Sequence, residues 1–157
     1  MRNSAGFTLI ELMVTIIIIS ILAATVLLQW PGSTINLREQ AEQLADDIRY
    51  TQSLAMTKGQ RYRIVLSSAS YQIINSSGSA VTLMNGSTTM TLNSGITIGA
   101  LTNLPNSLIN FDGRGTPYTD TASPGTALAS TASIPMSANG ETHTISVTPQ
   151  TGRVVVQ

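Results

Sequence analysis

Residues 7–30 read FTLIELMVTIIIISILAATVLLQW, a stretch dominated by aliphatic side chains and carrying one charge, Glu11. Nothing else in the chain constrains its fold as strongly. As a helix the segment would run about 36 Å, enough to cross a hydrocarbon core of about 30 Å. The β-branched run at residues 16–19 lowers intrinsic helix propensity. In lipid, however, a backbone must close its own hydrogen bonds, which a helix does within a single segment. A membrane-spanning helix is therefore the expected structure of residues 7–30.

Three readings compete for it. A secretory signal peptide has a basic leader, a short apolar region and a small-residue cleavage site. Here only six residues with a single Arg2 precede the run, and apolar residues continue past the weak site at Leu22-Ala23-Ala24. A plain anchor explains everything but Glu11, since a carboxylate at mid-bilayer costs about 2.5–3.5 kcal/mol and usually has a partner. The third reading comes from the residues around that charge. Gly6-Phe7-Thr8-Leu9-Ile10-Glu11 resembles the class III signal of type IV prepilins and type II secretion pseudopilins. The resemblance implies that a prepilin peptidase cuts after Gly6, that the new terminus Phe7 is N-methylated, and that Glu11 serves assembly. It also implies a single-pass protein of the bacterial inner membrane, its C-terminal domain in the periplasm. Other pilins or pseudopilins and an inner-membrane assembly platform are the implied partners. Within such a filament Glu11 would pair with the Phe7 amine of its own or a neighbouring subunit. A buried pair is favourable relative to either charge left alone, which makes Glu11 a device for register.

Pro31-Gly32 then interrupts the apolar run. Leu37, Ala41, Leu44, Ala45, Ile48 and Ala55 recur at helical spacing, with Arg38, Glu39, Glu42, Asp46, Asp47 and Arg49 on other faces. Ser33 or Thr34 offers an N-cap and Lys58-Gly59 a stop, so the pattern predicts an amphipathic helix over about 34–58. Beyond Gly59 the period changes to two. Strands are expected at residues 61–66, 71–75, 81–83, 88–92, 96–98, 108–111, 134–136, 142–148 and 153–156, with a hairpin turn at 149–152. Residues 112–133, rich in Gly, Pro, Ser and Thr, read as a long loop. The expected fold class is α+β, a long N-terminal helix packed on antiparallel sheet. The expected organisation is a leader at 1–6, a transmembrane and polymerisation helix at 7–30, its amphipathic continuation at 31–58, and a β-rich domain at 59–157.

The globular part carries a second, more diffuse resemblance. Residues 41–55 (AEQLADDIRYTQSLA), the strand RYRIVL, the segment INFDGRG at 109–115 and the closing Gly152-Arg153-Val154 are similar to the H-type minor pseudopilins and the FimT-like minor pilins. That family implies two sheets in a small sandwich and a minor role in the fibre.

Little else suggests chemistry. Cysteine is absent, which excludes disulfides, thiolate metal sites and a cysteine nucleophile. His143 is the only histidine, and no serine lies in a G-x-S-x-G elbow. Asp112-Gly113-Arg114-Gly115 lacks the Lys and Ser/Thr of a phosphate loop and reads as a turn. Asp112 and Asp120 are too few for calcium, which takes six to eight oxygens. The chain reads as a non-enzyme with no cofactor and no metal. Eight basic residues balance eight acidic ones, so no global field recruits nucleic acid. Some FimT-like pilins resemble DNA-uptake receptors with a Gly-Arg-any-Arg motif; here Val155 replaces the second arginine. Lys58, Arg61, Arg63 and Arg153 are the residues that would make any weak DNA contact, and the simpler reading of 58–63 is a solvated strand face.

Overall fold

The computed structural model describes residues 8–28, 32–83 and 86–157, with side chains at 24–28 and 32–35 outside that description. The chain forms two compact units, Met1–Gly32 and Ser33–Gln157. In the first, α1 spans Leu9–Leu28. Its 20 residues would measure about 30 Å, the thickness of a hydrocarbon core. The described side chains end at Ala23, and among the residues described to that level no helix is long and apolar enough to cross a membrane.

α2 spans Gly32–Lys58, and from Ser33 onward it belongs to the second unit. The six apolar residues of the expected stripe (Leu37, Ala41, Leu44, Ala45, Ile48 and Ala55) are all fully buried, and Thr51 joins them. Thr51 tolerates burial because its hydroxyl donates to the Asp47 carbonyl at 2.7 Å. Gly59 ends the helix in a left-handed conformation (φ +62°), and Gln60 N–H reaches back to the Ala55 carbonyl at 3.2 Å. That satisfies a terminal carbonyl in the way a Schellman motif does.

Nine strands follow among the described residues: β1 Tyr62–Ser67, β2 Ser70–Ile74, β3 Met90–Thr91, β4 Thr97–Ile98, β5 Leu108–Phe111, β6 Pro117–Tyr118, β7 Ala132–Ala138, β8 Glu141–Val147 and β9 Val154–Val156. They form two antiparallel sheets, ordered β3-β2-β1-β5-β6 and β4-β7-β8-β9. Alternation sets the faces. Ile64 and Leu66, Tyr71 and Ile73, and Ile109 and Phe111 turn inward from the first sheet, and Ile134, Met136, Ile145 and Val147 from the second. With the α2 stripe they make a single core. The β7–β8 turn is Asn139-Gly140, both at positive φ (50° and 85°), the two-residue geometry that matches strand twist.

The α+β expectation holds, and several details differ. The expected loop at 112–133 contains β6 and the start of β7. Residues 81–83 form no strand, since only an isolated bridge between Ile74 and Ala80 and the bond from Val81 N–H to the Ile73 carbonyl (2.8 Å) tie this stretch to β2. Arg61 precedes β1 rather than opening it.

Candidate functional site

Candidate residues gather in two regions, the start of α1 and the far end of α2. Gly6 and Phe7 lie outside the described residues, which begin at Thr8. The Thr8 carbonyl accepts N–H groups of Glu11 (3.1 Å) and Leu12 (3.2 Å), and its hydroxyl accepts the Glu11 N–H at 3.4 Å. Thr8 is thus the N-cap, and Glu11 falls in the first helical turn, where the helix dipole favours an anion. Leu9, Ile10, Leu12, Met13 and the residues after them are about half to more than four-fifths exposed on every side of the helix. The hydroxyls of Thr15 and Ser20 donate to the carbonyls of Leu12 (2.8 Å) and Ile16 (2.7 Å). Among the described side chains of α1, Glu11 is the polar one that meets no partner among the described residues.

At the far end of α2, glycines allow three loops to meet. Gln52 Nε2 donates to the carbonyls of Gly115 (2.9 Å) and Thr151 (2.8 Å), joining the β5–β6 turn to the β8–β9 turn. A Cβ at Gly152 would lie 2.6 Å from Gln52 Nε2 and 2.8 Å from Phe111 Cε1, and one at Gly113 would lie 3.1 Å from the Gly59 backbone. The Asp112 side chain closes its turn by accepting N–H groups of Arg114 and Thr116, both at 2.9 Å. Asp112-Gly113-Arg114-Gly115 is thus the turn expected of it. Gln52 was not singled out in the sequence, where one more polar residue on a helix carries no signal. The glycines at 59, 113, 115 and 152, each flanking a strand or helix end, were the available clue.

The four basic residues considered for DNA are held differently. Arg61 donates to the Ala122 carbonyl and lies over the Tyr118 ring, 4.8 Å from its centroid. Asp120 holds that loop by accepting N–H groups of Thr126 (2.9 Å) and Ala122 (3.2 Å). Those bonds, with Arg61 nearby, hold its carboxyl below the usual range. Arg63 is half-buried on β1 between Ile74 and Asn110, while Lys58 and Arg153 are exposed. Arg61 and Arg63 do not share a strand face open to a ligand, because Arg61 is engaged by the loop.

Asp46 and Asp47 diverge as neighbours on a helix do. Asp46 pairs with Arg49 at 2.6 Å in solvent, and Arg49 also donates to the Val154 carbonyl at 3.0 Å. Asp47 turns inward and accepts the Tyr71 hydroxyl at 2.6 Å. Burial pushes the Asp47 carboxyl above its usual range, the Tyr71 bond opposes this, and Asp46 adds to the rise. Burial and Asp47 together push the Tyr71 hydroxyl well above the ordinary phenol range. Arg49 and Asp47 thereby tie α2 to both sheets. His143 is half-buried on β8 opposite Met136. No group of three metal-ligating side chains occurs among the described residues.

Residues 1–27 match the model of the prokaryotic N-terminal methylation motif. Residues 40–152 match the model described as type II transport protein GspH. The chain belongs to the GspH family. Among solved structures, this GspH-family chain is similar to the type IV minor pilin FimU of Pseudomonas aeruginosa strain PAO1 in two crystal forms. In space group P21 the TM-score is 0.55 at 19% identity, covering 81% of this chain and 92% of the other. In space group P65 it is 0.52 at 19% identity, covering 77% and 92%. At that identity the likeness is one of fold. No curated protein matches by sequence. The GspH match spans α2 from Gln40 to Gly152, so it includes Gln52, Asp112 and the glycine junction.

Proposed function

We propose that this chain is a minor pseudopilin of a type II secretion system, a structural subunit rather than an enzyme. The observation that carries the reading is the pairing of an N-terminal methylation motif with a GspH-type domain in one chain. In this account prepilin peptidase cuts after Gly6 and Phe7 becomes the methylated terminus. The anchor holds the subunit in the inner membrane with its sheets in the periplasm until the assembly platform draws it into the filament.

The sequence chemistry suits this path. A helix with aliphatic side chains on all sides and internally bonded hydroxyls is at home both in lipid and in a bundle of like helices. Glu11 costs something in either place unless a cation meets it, and the amine freed at Phe7 is one helical turn away. A subunit seated at the wrong height would strand both charges, so the pair selects register. The domain need only stay folded and present surfaces, and this one is braced by Gln52, Arg49 and Tyr71.

A second reading, a minor type IV pilin assisting pilus assembly, adhesion or DNA uptake, is favoured by the likeness to FimU. The two are separated by deleting the gene and measuring two outputs. Loss of exported cargo with pilus functions intact supports the secretion reading; loss of pilus assembly with export intact overturns it in favour of the pilus.

A further inference from the structure

Pro135 stands in an unexpected place. β7 is an interior strand, held between β4 and β8, and a proline within a sheet is expected at an edge or a bulge because it cannot donate to the ladder. Gly99 N–H donates to the Pro135 carbonyl at 2.8 Å. The return bond has no donor, so the Gly99 carbonyl meets no partner among the described residues. The Pro135 ring is half-buried and takes up the space beside the bare glycine, where a Cβ would lie 3.3 Å from Pro135 Cγ. A local rule broken in an otherwise regular sheet points to a functional surface.

Register gives the surroundings of that ring. Thr97, Ser137 and Thr142 form one row across β4, β7 and β8. Gly99, Pro135 and Thr144 form the next, and Thr102, Ser133 and Ser146 the third. Ile134, Met136 and Ile145 between them are fully buried, so alternation turns the three rows to the outer face of the sheet. The first and third rows are four residues apart along β7, about 14 Å, and carry hydroxyls on both flanks of the proline ring. Ser137 and Thr142 are bonded to each other at 3.0 Å, whereas the hydroxyls of Ser133, Thr144 and Ser146 meet no partner among the described residues. No position in the three rows carries a charge or an aromatic ring, and residues 64–111 contain no charged side chain at all. At the β4 edge Gly99 also lines a cavity of about 410 Å³, where Ser67, Ser68 and Ser107 stand with Leu66, Ile98 and Leu104.

This composition selects its ligand. Nucleic acid and anionic lipid need cations, which the face lacks. The core of a protein interface is rich in aromatic residues, Met and Arg and poor in Ser, the reverse of what stands here. An uncharged molecule with many hydroxyls of its own fits on every count. The C–H face of a sugar ring suits the proline, and sugar hydroxyls suit the flanking rows and the free Gly99 carbonyl. We propose that the outer face of the second sheet binds a neutral polysaccharide chain, laid across the strands from Thr144 over Pro135 to Gly99 and the adjoining cavity. The site follows from sheet register and composition, and does not depend on the filament reading above.

The full chain in lipid nanodiscs is titrated calorimetrically with cellohexaose and with chitohexaose, neutral chains without and with N-acetyl groups. Oligogalacturonate serves as the acidic counterpart and empty nanodiscs as the blank. Binding of either neutral chain, unchanged by added salt, is the expected result; cellohexaose alone would assign the site to plain glucans, and chitohexaose alone to N-acetylated ones. Thr144→Lys stands a long charged side chain in the path and should weaken binding about tenfold, as should Ser133→Ala combined with Ser146→Ala. Ser146→Thr keeps the hydroxyl and should retain binding, and Glu39→Gln on α2 should leave it unchanged. The altered side chains face outward, so urea midpoints close to wild type are expected and separate lost binding from lost folding. Failure of both neutral chains to bind would overturn the proposal, as would binding that neither Thr144→Lys nor the double alanine variant weakens. So would a salt-sensitive preference for oligogalacturonate. A Thr144→Lys chain that binds sugar normally but is lost from filaments would make this face a protein contact, and would overturn it as well.

Discussion

Replacing Gly152 by alanine should damage the domain more than any comparable change at an open turn. Two costs add. At φ +61° an L-residue pays about 1–2 kcal/mol for left-handed backbone. The new methyl would also lie 2.6 Å from Gln52 Nε2, so the amide must withdraw from the carbonyls of Gly115 and Thr151, at about 0.5–1.5 kcal/mol for each bond. The sum is about 2–5 kcal/mol, a large share of a typical stability of about 5–15 kcal/mol. Gly78 is the control, with φ +86° and nothing within 4 Å of its would-be Cβ, so alanine there should cost about 1–2 kcal/mol. Urea unfolding of residues 33–157 measures both. With a slope of about 1–3 kcal/mol per molar, the Gly152→Ala midpoint should fall by roughly 1–3 M, clearly beyond that of Gly78→Ala. In a Gln52→Ala background part of the Gly152→Ala penalty should vanish, because the bonds it breaks are already gone. Equal losses at Gly152 and Gly78, or full additivity with Gln52→Ala, would refute the three-loop junction.

The other expectations are briefer. Gly6→Val should block processing, because a peptidase working on backbone at the cut has no room for a β-branched side chain; normal-sized product on a gel would contradict this. Tyr71→Phe should cost about 1–3 kcal/mol in urea unfolding by leaving the Asp47 carboxylate half-buried without its donor, whereas Asp47→Asn should be neutral or stabilising at pH 7. Because the folded-state carboxyl titrates above its ordinary value of 3.8, the charged form costs stability above that raised value. The advantage of Asp47→Asn over wild type should therefore shrink as pH falls through it. DNA binding by residues 33–157 should stay in the weak, non-specific range of roughly 10⁻⁴ M at physiological salt; micromolar, salt-sensitive binding lost with Arg61→Ala and Arg153→Ala would favour an uptake pilus.

The periodic parts of the fold were legible in the residues. The six apolar positions of α2 declared their burial because a 3.6-residue repeat has one reading over five turns, and Gly59 marked the stop. The central strands were equally plain, since residues 62–66 and 71–74 are short runs dominated by β-branched, aliphatic and aromatic side chains and bounded by Ser, Asn and Gly. Short edge strands were not. Pro117-Tyr118 pairs with Phe111 and Asn110 through tertiary placement, and two residues carry no period. Residues 81–83 have the composition of a strand but no continuing partner, so composition misled. Gln52 was invisible because its role comes from two carbonyls about 60 and 100 residues away. At the N-terminus the motif spoke through a resemblance, while Glu11 taken alone was equally compatible with an anchor that tolerates one charge.

The central claim is that this chain is cut, methylated and built into a filament through α1. The most direct measurement is mass spectrometry of the chain recovered from filaments sheared from cells, alongside the membrane fraction of an Glu11→Leu strain. The account predicts wild-type chain in the filament fraction beginning at N-methylated Phe7, and Glu11→Leu chain retained in the membrane but depleted from filaments. Chain beginning at Met1, absence of the wild type from sheared filaments, or equal incorporation of Glu11→Leu would contradict it.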